Sequence, residues 1–160
     1  MGNISSSNKS PYAYIGDLFQ SQMHKYVKDM NKKGFNFVIG RTMRRGDPKP
    51  SWYFTPVITE VQQTGIGDQK TVFKKHDMLV MYYTENLDED LFTIEQIITQ
   101  IIVSNNKVSD TKRIKNTGQE FMQLKRLEYA YVYDSEDNLE MQSIFATVTV
   151  AYQDSYYGVN

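Results

Sequence analysis

Apolar positions in this chain fall first at helical spacing, then at strand spacing, then at both again. Ser10 and Pro11 open the first run: serine is a good N-cap, and proline is tolerated at the first helical position. Tyr14, Ile15, Leu18, Phe19, Tyr26, Val27 and Met30 follow a 3.6-residue period, with Met23 at the edge of the stripe. Lys25, Lys28, Asp29, Lys32 and Lys33 mark the solvated side, and Gly34 provides a stop. The spacing predicts an amphipathic helix from Pro11 to Lys33.

Strand signals follow. Phe35–Arg41 reads as a strand, and the stretch Thr42–Ser51 is broken by Gly46, Pro48 and Pro50. A second strand is expected over Trp52–Val61, with Pro56 marking an edge or a bulge. Gln62–Gln69 reads as a turn, after which Thr71–Lys74 can pair back. Met78–Thr84 is almost continuously apolar, the pattern of a central strand covered on both faces.

Leu91, Ile94, Ile97, Ile98, Ile101 and Ile102 then return to helical spacing behind the acidic start Asp88, Glu89 and Asp90, and Asn105-Asn106 ends that helix. The period outweighs the mediocre helix propensity of isoleucine. Residues 107–126 are polar, basic and weakly periodic, and are expected to form a long connection with at most a short strand. The chain closes with a hairpin: Glu128–Tyr133, a turn at Asp134–Asn138, and a return strand Glu140–Gln153. On that strand Ile144, Ala146, Val148, Val150 and Tyr152 share one face. The element order implies an α+β fold with two helices packed on one face of a mixed, largely antiparallel sheet. It forms a single assembly domain over residues 11–160, behind a flexible Ser- and Asn-rich arm at residues 1–10.

Composition narrows the function classes. At 160 residues with 40% hydrophobic and 23% charged side chains, the chain can bury one core. It has no cysteine, which excludes disulfide staples, thiolate nucleophiles and sulfur-ligated metals. No apolar run approaches the roughly 20 residues of a membrane helix, so no membrane partner is expected. The net charge of −1 conceals an asymmetry. Residues 1–75 carry 12 basic and 5 acidic side chains, whereas residues 76–160 carry 6 and 14. Opposed halves suit a subunit that meets its neighbour through complementary charge, or else scatter over a solvated surface once folded.

Candidate chemistry is sparse. His24 reads as a surface residue, and His76 lies beside Asp77 without an activated nucleophile, on a segment where adjacent side chains point to opposite sides. Glu85, Asp88, Glu89 and Asp90 lack the alternating ligands and central glycine of a calcium loop. The N-terminal MGNISS matches a short myristoylation pattern but has no second anchoring signal nearby. No catalytic residue, cofactor or metal is therefore expected. Arg41, Arg44, Arg45 and Lys49, followed by Trp52 and Tyr53, could track phosphates and stack bases, making a nucleic-acid-binding module the alternative reading. The preferred reading is a subunit contact, for which arginine and tryptophan are typical anchors. Tyr129, Tyr131 and Tyr133 project to one side of their strand, as ordinary strand composition or as an aromatic face shared with another chain.

The layout as a whole resembles the small tail-terminator and head-to-tail joining (neck) proteins of tailed bacteriophages. The leading helix, the Pro-containing strand Trp52–Val61, the apolar strand ending MYYTENLDED, the helix LFTIEQIITQIIVSNNKV and the closing hairpin ending IFATVTVAYQDSY carry that resemblance, over about residues 11–154. It implies a virion protein assembled in the host cytoplasm, without catalytic residues. The subunits would form a ring, six-fold or alternatively twelve-fold, that caps the tail tube or docks to the neck. Its implied partners are further copies, other neck or tail proteins, and DNA passing through the channel without specific binding.

Overall fold

A computed structural model describes residues 10–26, 34–64, 69–105 and 121–157. Two helices, α1 (Pro11–Tyr26) and α2 (Leu91–Ser104), lie against a sheet of five strands: β1 (Asn36–Ile39), β2 (Ser51–Thr64), β3 (Gln69–Thr84), β4 (Phe121–Tyr133) and β5 (Leu139–Tyr157). The strand order is β1-β2-β3-β5-β4. β1 pairs parallel with β2, and every other pairing is antiparallel. The expected α+β architecture, with a mixed, mainly antiparallel sheet, is the one observed.

The helices share one face of the sheet. Ile15, Phe19 and Met23 of α1 and Ile94, Ile98, Ile101 and Ile102 of α2 close over Trp52, Phe54, Val80, Tyr82, Ile144, Ala146 and Val148. Ser10 caps α1 by accepting from Ala13 N at 3.3 Å, and Asp90 caps α2 by accepting from Phe92 N at 3.1 Å. The two helices are tied together where α2 ends. Gln22 and Asn105 exchange side-chain amide hydrogen bonds of 3.0 and 2.9 Å, and Asn105 also donates to Ile101 O at 2.7 Å. The expected extension of α1 to Lys33 falls on residues outside those described.

β3 is the central strand, as its apolar run implied. Val80 and Tyr82 point toward the helices, while Met81 and Tyr83 join a second cluster with Tyr53 and Met141 on the other face. Met43 and Phe145 pack on that second cluster, so the loop between β1 and β2 folds over the face that the helices leave open. Pro56 sits at a register irregularity of β2, beyond the four residues that β1 covers.

Two elements differ from the sequence expectation. β3 resumes at Gln69 and continues without interruption, so that β2, β3 and β5 extend together well past the helices. β4 begins at Phe121 and not near Glu128. Its inward positions are Met122 and Leu124 and then Leu127, because an irregularity between Leu124 and Arg126 shifts the alternation by one residue. Read straight through, that segment has no period of two.

Candidate assembly surfaces

The basic loop is a built structure centred on Asp47. Arg41 donates to both carboxylate oxygens, Nη1 to Oδ2 at 2.8 Å and Nη2 to Oδ1 at 3.2 Å. Arg44 N donates to Oδ2 at 2.9 Å, and the Tyr53 hydroxyl donates to the same oxygen at 2.7 Å. Thr55 Oγ1 holds Arg41 O at 2.7 Å, and Lys49 Nζ reaches Asp47 O at 2.8 Å. The Arg41 guanidinium, the Arg44 amide and the Tyr53 hydroxyl together hold the Asp47 carboxyl far below the usual range, and the hydrogen bond to Asp47 raises Arg41 in return. Gly40 and Gly46, both at positive φ, supply the bends that let an eleven-residue connection fold back over the sheet.

This arrangement corrects two of the interface candidates. Trp52 is fully buried in the helix-facing core, 4.7 Å from the Tyr82 ring centroid and 5.3 Å from that of Phe19, so it cannot anchor a neighbouring subunit. Tyr53 is equally buried on the opposite face, beneath Arg41 and against Tyr83. Strand alternation sends the pair to two faces, and each face is covered. Neither ring can stack on a base, and Arg41 is committed to Asp47. Of the four arginine and lysine side chains of the loop, Arg44 and Arg45 are exposed and Arg41 and Lys49 are half-buried.

Tyr129, Tyr131 and Tyr133 are placed as expected, on one side of β4 and in a row. They are 42%, 50% and 57% exposed, on the same face of the sheet as the helices and at its outer edge. Tyr129 lies beside Glu95 of α2; burial first, and the Glu95 carboxylate next, raise its phenol. Sequence reasoning missed other exposed apolar residues. Phe92 on α2 is 58% exposed, Ile39 at the end of β1 is 41% exposed, and Val57, Ile58 and Val61 line β2 beyond β1. Phe92 had a legible signal, an aromatic off the Leu91–Ile94–Ile98 stripe.

The opposed charges of the two sequence halves do not become two separate sides. Lys49 and Pro50 share a shallow, open cleft of about 200 Å³ with Thr84, Glu85, Asn86 and Glu89. A segregation does persist across the width of the sheet. Arg44 and Arg45 lie on the β1 side, whereas the β4–β5 turn presents Asp134, Glu136 and Asp137, followed by Glu140. Asp134 builds that turn by accepting from Glu136 N and Asn138 N, both at 2.9 Å, with Asp137 at a φ of 62°.

His76 and Asp77 diverge, as alternation requires. His76 Nδ1 meets Thr59 Oγ1 at 2.8 Å on β2, and Asp77 accepts from Thr149 Oγ1 at 2.6 Å on β5. The acidic run is explained by capping and bracing: Asp90 caps α2, and Glu89 receives the Tyr82 hydroxyl. Among the described residues there is no group of three or more His, Cys, Asp or Glu placed to hold a metal ion, and no helix long and apolar enough to cross a membrane.

A chain in the solved virion of a native gene transfer agent particle has a similar fold, with a TM-score of 0.50 at 11% sequence identity. The match covers 94% of this chain and 99% of that one. No protein-family model matches the sequence, and no curated protein does either.

Proposed function

We propose that this chain is a structural virion protein of a phage-like particle. It would assemble with copies of itself into a ring at the head–tail junction or at the end of the tail tube, in the manner of a tail terminator. The observation that carries the reading is the near-complete mutual coverage with a chain of the gene transfer agent virion, so that the whole domain, and not a shared submotif, is alike. The surfaces support it. Both outer strands of the sheet lack a strand neighbour among the described residues, and one carries an exposed tyrosine row. The chemistry supports a role without catalysis or cofactor, since His76 and Asp77 face apart and the cleft beside Lys49 is small and open.

Such a protein would act in the virion after assembly in the host cytoplasm, with neck or tail proteins as further partners. DNA would pass its channel unbound. Six-fold closure is the expected stoichiometry.

The test is light scattering on the chromatographed full-length protein, combined with negative-stain imaging. Closed rings of uniform subunit number are expected. A monomer at every concentration would overturn the reading. So would tight, salt-sensitive DNA binding that disappears in Arg44→Glu/Arg45→Glu, since it would identify a nucleic-acid-binding module instead.

A further inference from the structure

We infer that successive copies join edge to edge, with the β4 edge of one subunit docking on the β1 edge of the next. This inference rests on the ring reading and names the surfaces that would form its joint. Three independent features of the sheet agree on it.

The first is strand direction. Within one subunit β1 is parallel to β2, and the three further pairings are antiparallel, so β4 runs opposite to β1. When copies repeat side by side without inversion, β4 of one therefore lies antiparallel to β1 of the next. That is a pairing both edges, which lack a strand neighbour among the described residues, can make through their backbone groups. It is also a heterologous contact, the kind that closes into rings.

The second is the position of the exposed apolar groups. Trp52 of β2 lies level with Tyr82, Ile144 and Tyr129 across the sheet, and Phe37 of β1 pairs with Trp52. Tyr129 and the β1 residue Phe37 thus occupy the same level and the same helix-bearing face, at opposite edges; Ile39 is level with Leu127, while Tyr131 and Tyr133 continue past the start of β1. Repetition sets Tyr129 beside Phe37 and Ile39 beside Leu127, covering Tyr129 and Ile39, which are 42% and 41% exposed in the single subunit.

The third is charge. Arg44 and Arg45 are exposed on the β1–β2 loop, which Asp47 ties to Tyr53 near the start of β2. Glu136, Asp137 and Glu140 are exposed at the β4–β5 turn, at the end of the sheet where β2 starts and β3 ends. Copies related by a rotation axis along the strands keep this end at one height. The cationic loop of one subunit then faces the acidic turn of its neighbour, which steers and registers the joint.

Charge exchange tests this directly. Arg44→Glu/Arg45→Glu and Glu136→Lys/Glu140→Lys alter only exposed side chains, and circular dichroism with thermal melting confirms that both variants fold. The first sets like charges across the joint and the second cancels the charge of the acidic turn; each alone is expected to weaken association by more than about tenfold, read as a shift from ring mass to monomer mass. Mixed in equal amounts, the two variants regain opposite charges at every second joint and lose the like-charge repulsion at the others, and are expected to re-form rings of alternating subunits. Tyr129→Lys is expected to weaken the joint without rescue by either partner.

Rings that persist unchanged in both charge variants would overturn the edge-to-edge joint and leave the ring reading standing. Dissociation in both without rescue on mixing would also overturn it, since the charges would then not face each other. Open chains whose length depends on these residues would uphold the joint and overturn ring closure. A wild-type monomer at every concentration would overturn both.

Discussion

Asp47 and Tyr53, six residues apart, share a 2.7 Å hydrogen bond that pins the β1–β2 loop to the face of the sheet opposite the helices. The same carboxylate carries Arg41 bidentately, so one aspartate organises the loop from which Arg44 and Arg45 project. The folded-state pKa of Asp47 is depressed, chiefly by Arg41. Its contribution to stability is therefore present above the ordinary aspartate value of about 3.9 and is lost as pH falls toward the folded value. Asp47→Asn is expected to lower the melting temperature at neutral pH, and the gap from wild type is expected to narrow below about pH 4. Melting curves at stepped pH check this; a gap constant down to pH 2 would show that the carboxylate charge does not hold the loop.

Tyr53→Phe isolates the hydroxyl from the ring. The ring stays packed on Tyr83, 5.5 Å away centroid to centroid, but the bonds to Asp47 and Ser51 are lost. The expected cost is about 1 kcal/mol in denaturant unfolding, with an unchanged m-value. A neutral result would place the fixing of the loop in Arg41 alone.

The basic end is opposed across the cleft by a second polar brace. The Tyr82 hydroxyl donates to both oxygens of Glu89 at 2.9 Å, and Gln142 Nε2 ties the same segment by donating to Asn86 O at 3.0 Å and Glu89 O at 3.2 Å. Burial above all, with the Glu89 charge adding to it, pushes the Tyr82 phenol far above the usual tyrosine range. For a raised pKa the stabilising contribution is complete below the unfolded value of about 10 and is lost as pH climbs toward the folded one. Wild type is therefore expected to lose stability above about pH 10, and Tyr82→Phe to lose less over the same interval. Thermal melts between pH 8 and pH 11 decide it, and parallel curves for the two proteins would reject the assignment.

How far the sequence disclosed these features depends on how local each signal is. The isoleucine stripe of α2 is a period within one segment, and each of Ile94, Ile97, Ile98, Ile101 and Ile102 is buried as that period requires. The central position of β3 was legible for the same reason. Trp52 and Tyr53 were misread because their burial on both faces depends on distant partners: α1 on one side, and on the other a loop closed by a contact between residues 41 and 47. The start of β4 was lost to a single irregularity that inverts the alternation. Tyr129, Tyr131 and Tyr133 lie beyond it, and their common side was readable from their own spacing although a second irregularity falls between Val132 and Tyr133.

The cap of α2 gives a prediction confined to one helix end. Asp90 accepts from Phe92 N and from Thr93 Oγ1, both at 3.1 Å, and so serves a backbone donor that no preceding turn can satisfy. Asp90→Ala is expected to cost about 1 kcal/mol, and Asp90→Ser, which retains an acceptor, much less. Equilibrium denaturation of the three proteins compares them; equal losses for alanine and serine would mean that charge and not the cap is what matters.

Gly16 sets how closely α1 approaches the β1 edge. A Cβ at this position would lie 3.0 and 3.1 Å from Ile39 Cδ1 and Cγ1, and 3.3 Å from Phe54 Cδ2. Ile39 is 41% exposed and can swing its tip outward, whereas Phe54 is fully buried and cannot. Glycine inside a helix costs about 1 kcal/mol against alanine, so in Gly16→Ala the gain in propensity and the crowding of Phe54 oppose each other and the net change is expected to be small. Gly16→Leu has no such compensation: the side chain must displace Phe54 or lift α1 from β1, at an expected cost of about 1–3 kcal/mol. Because Ile39 borders the proposed joint, Gly16→Leu is also expected to weaken self-association at temperatures where the subunit remains folded. Denaturant unfolding and light scattering on the same samples separate the two effects. A Gly16→Leu protein as stable as wild type would mean that α1 does not pack at this distance from β1.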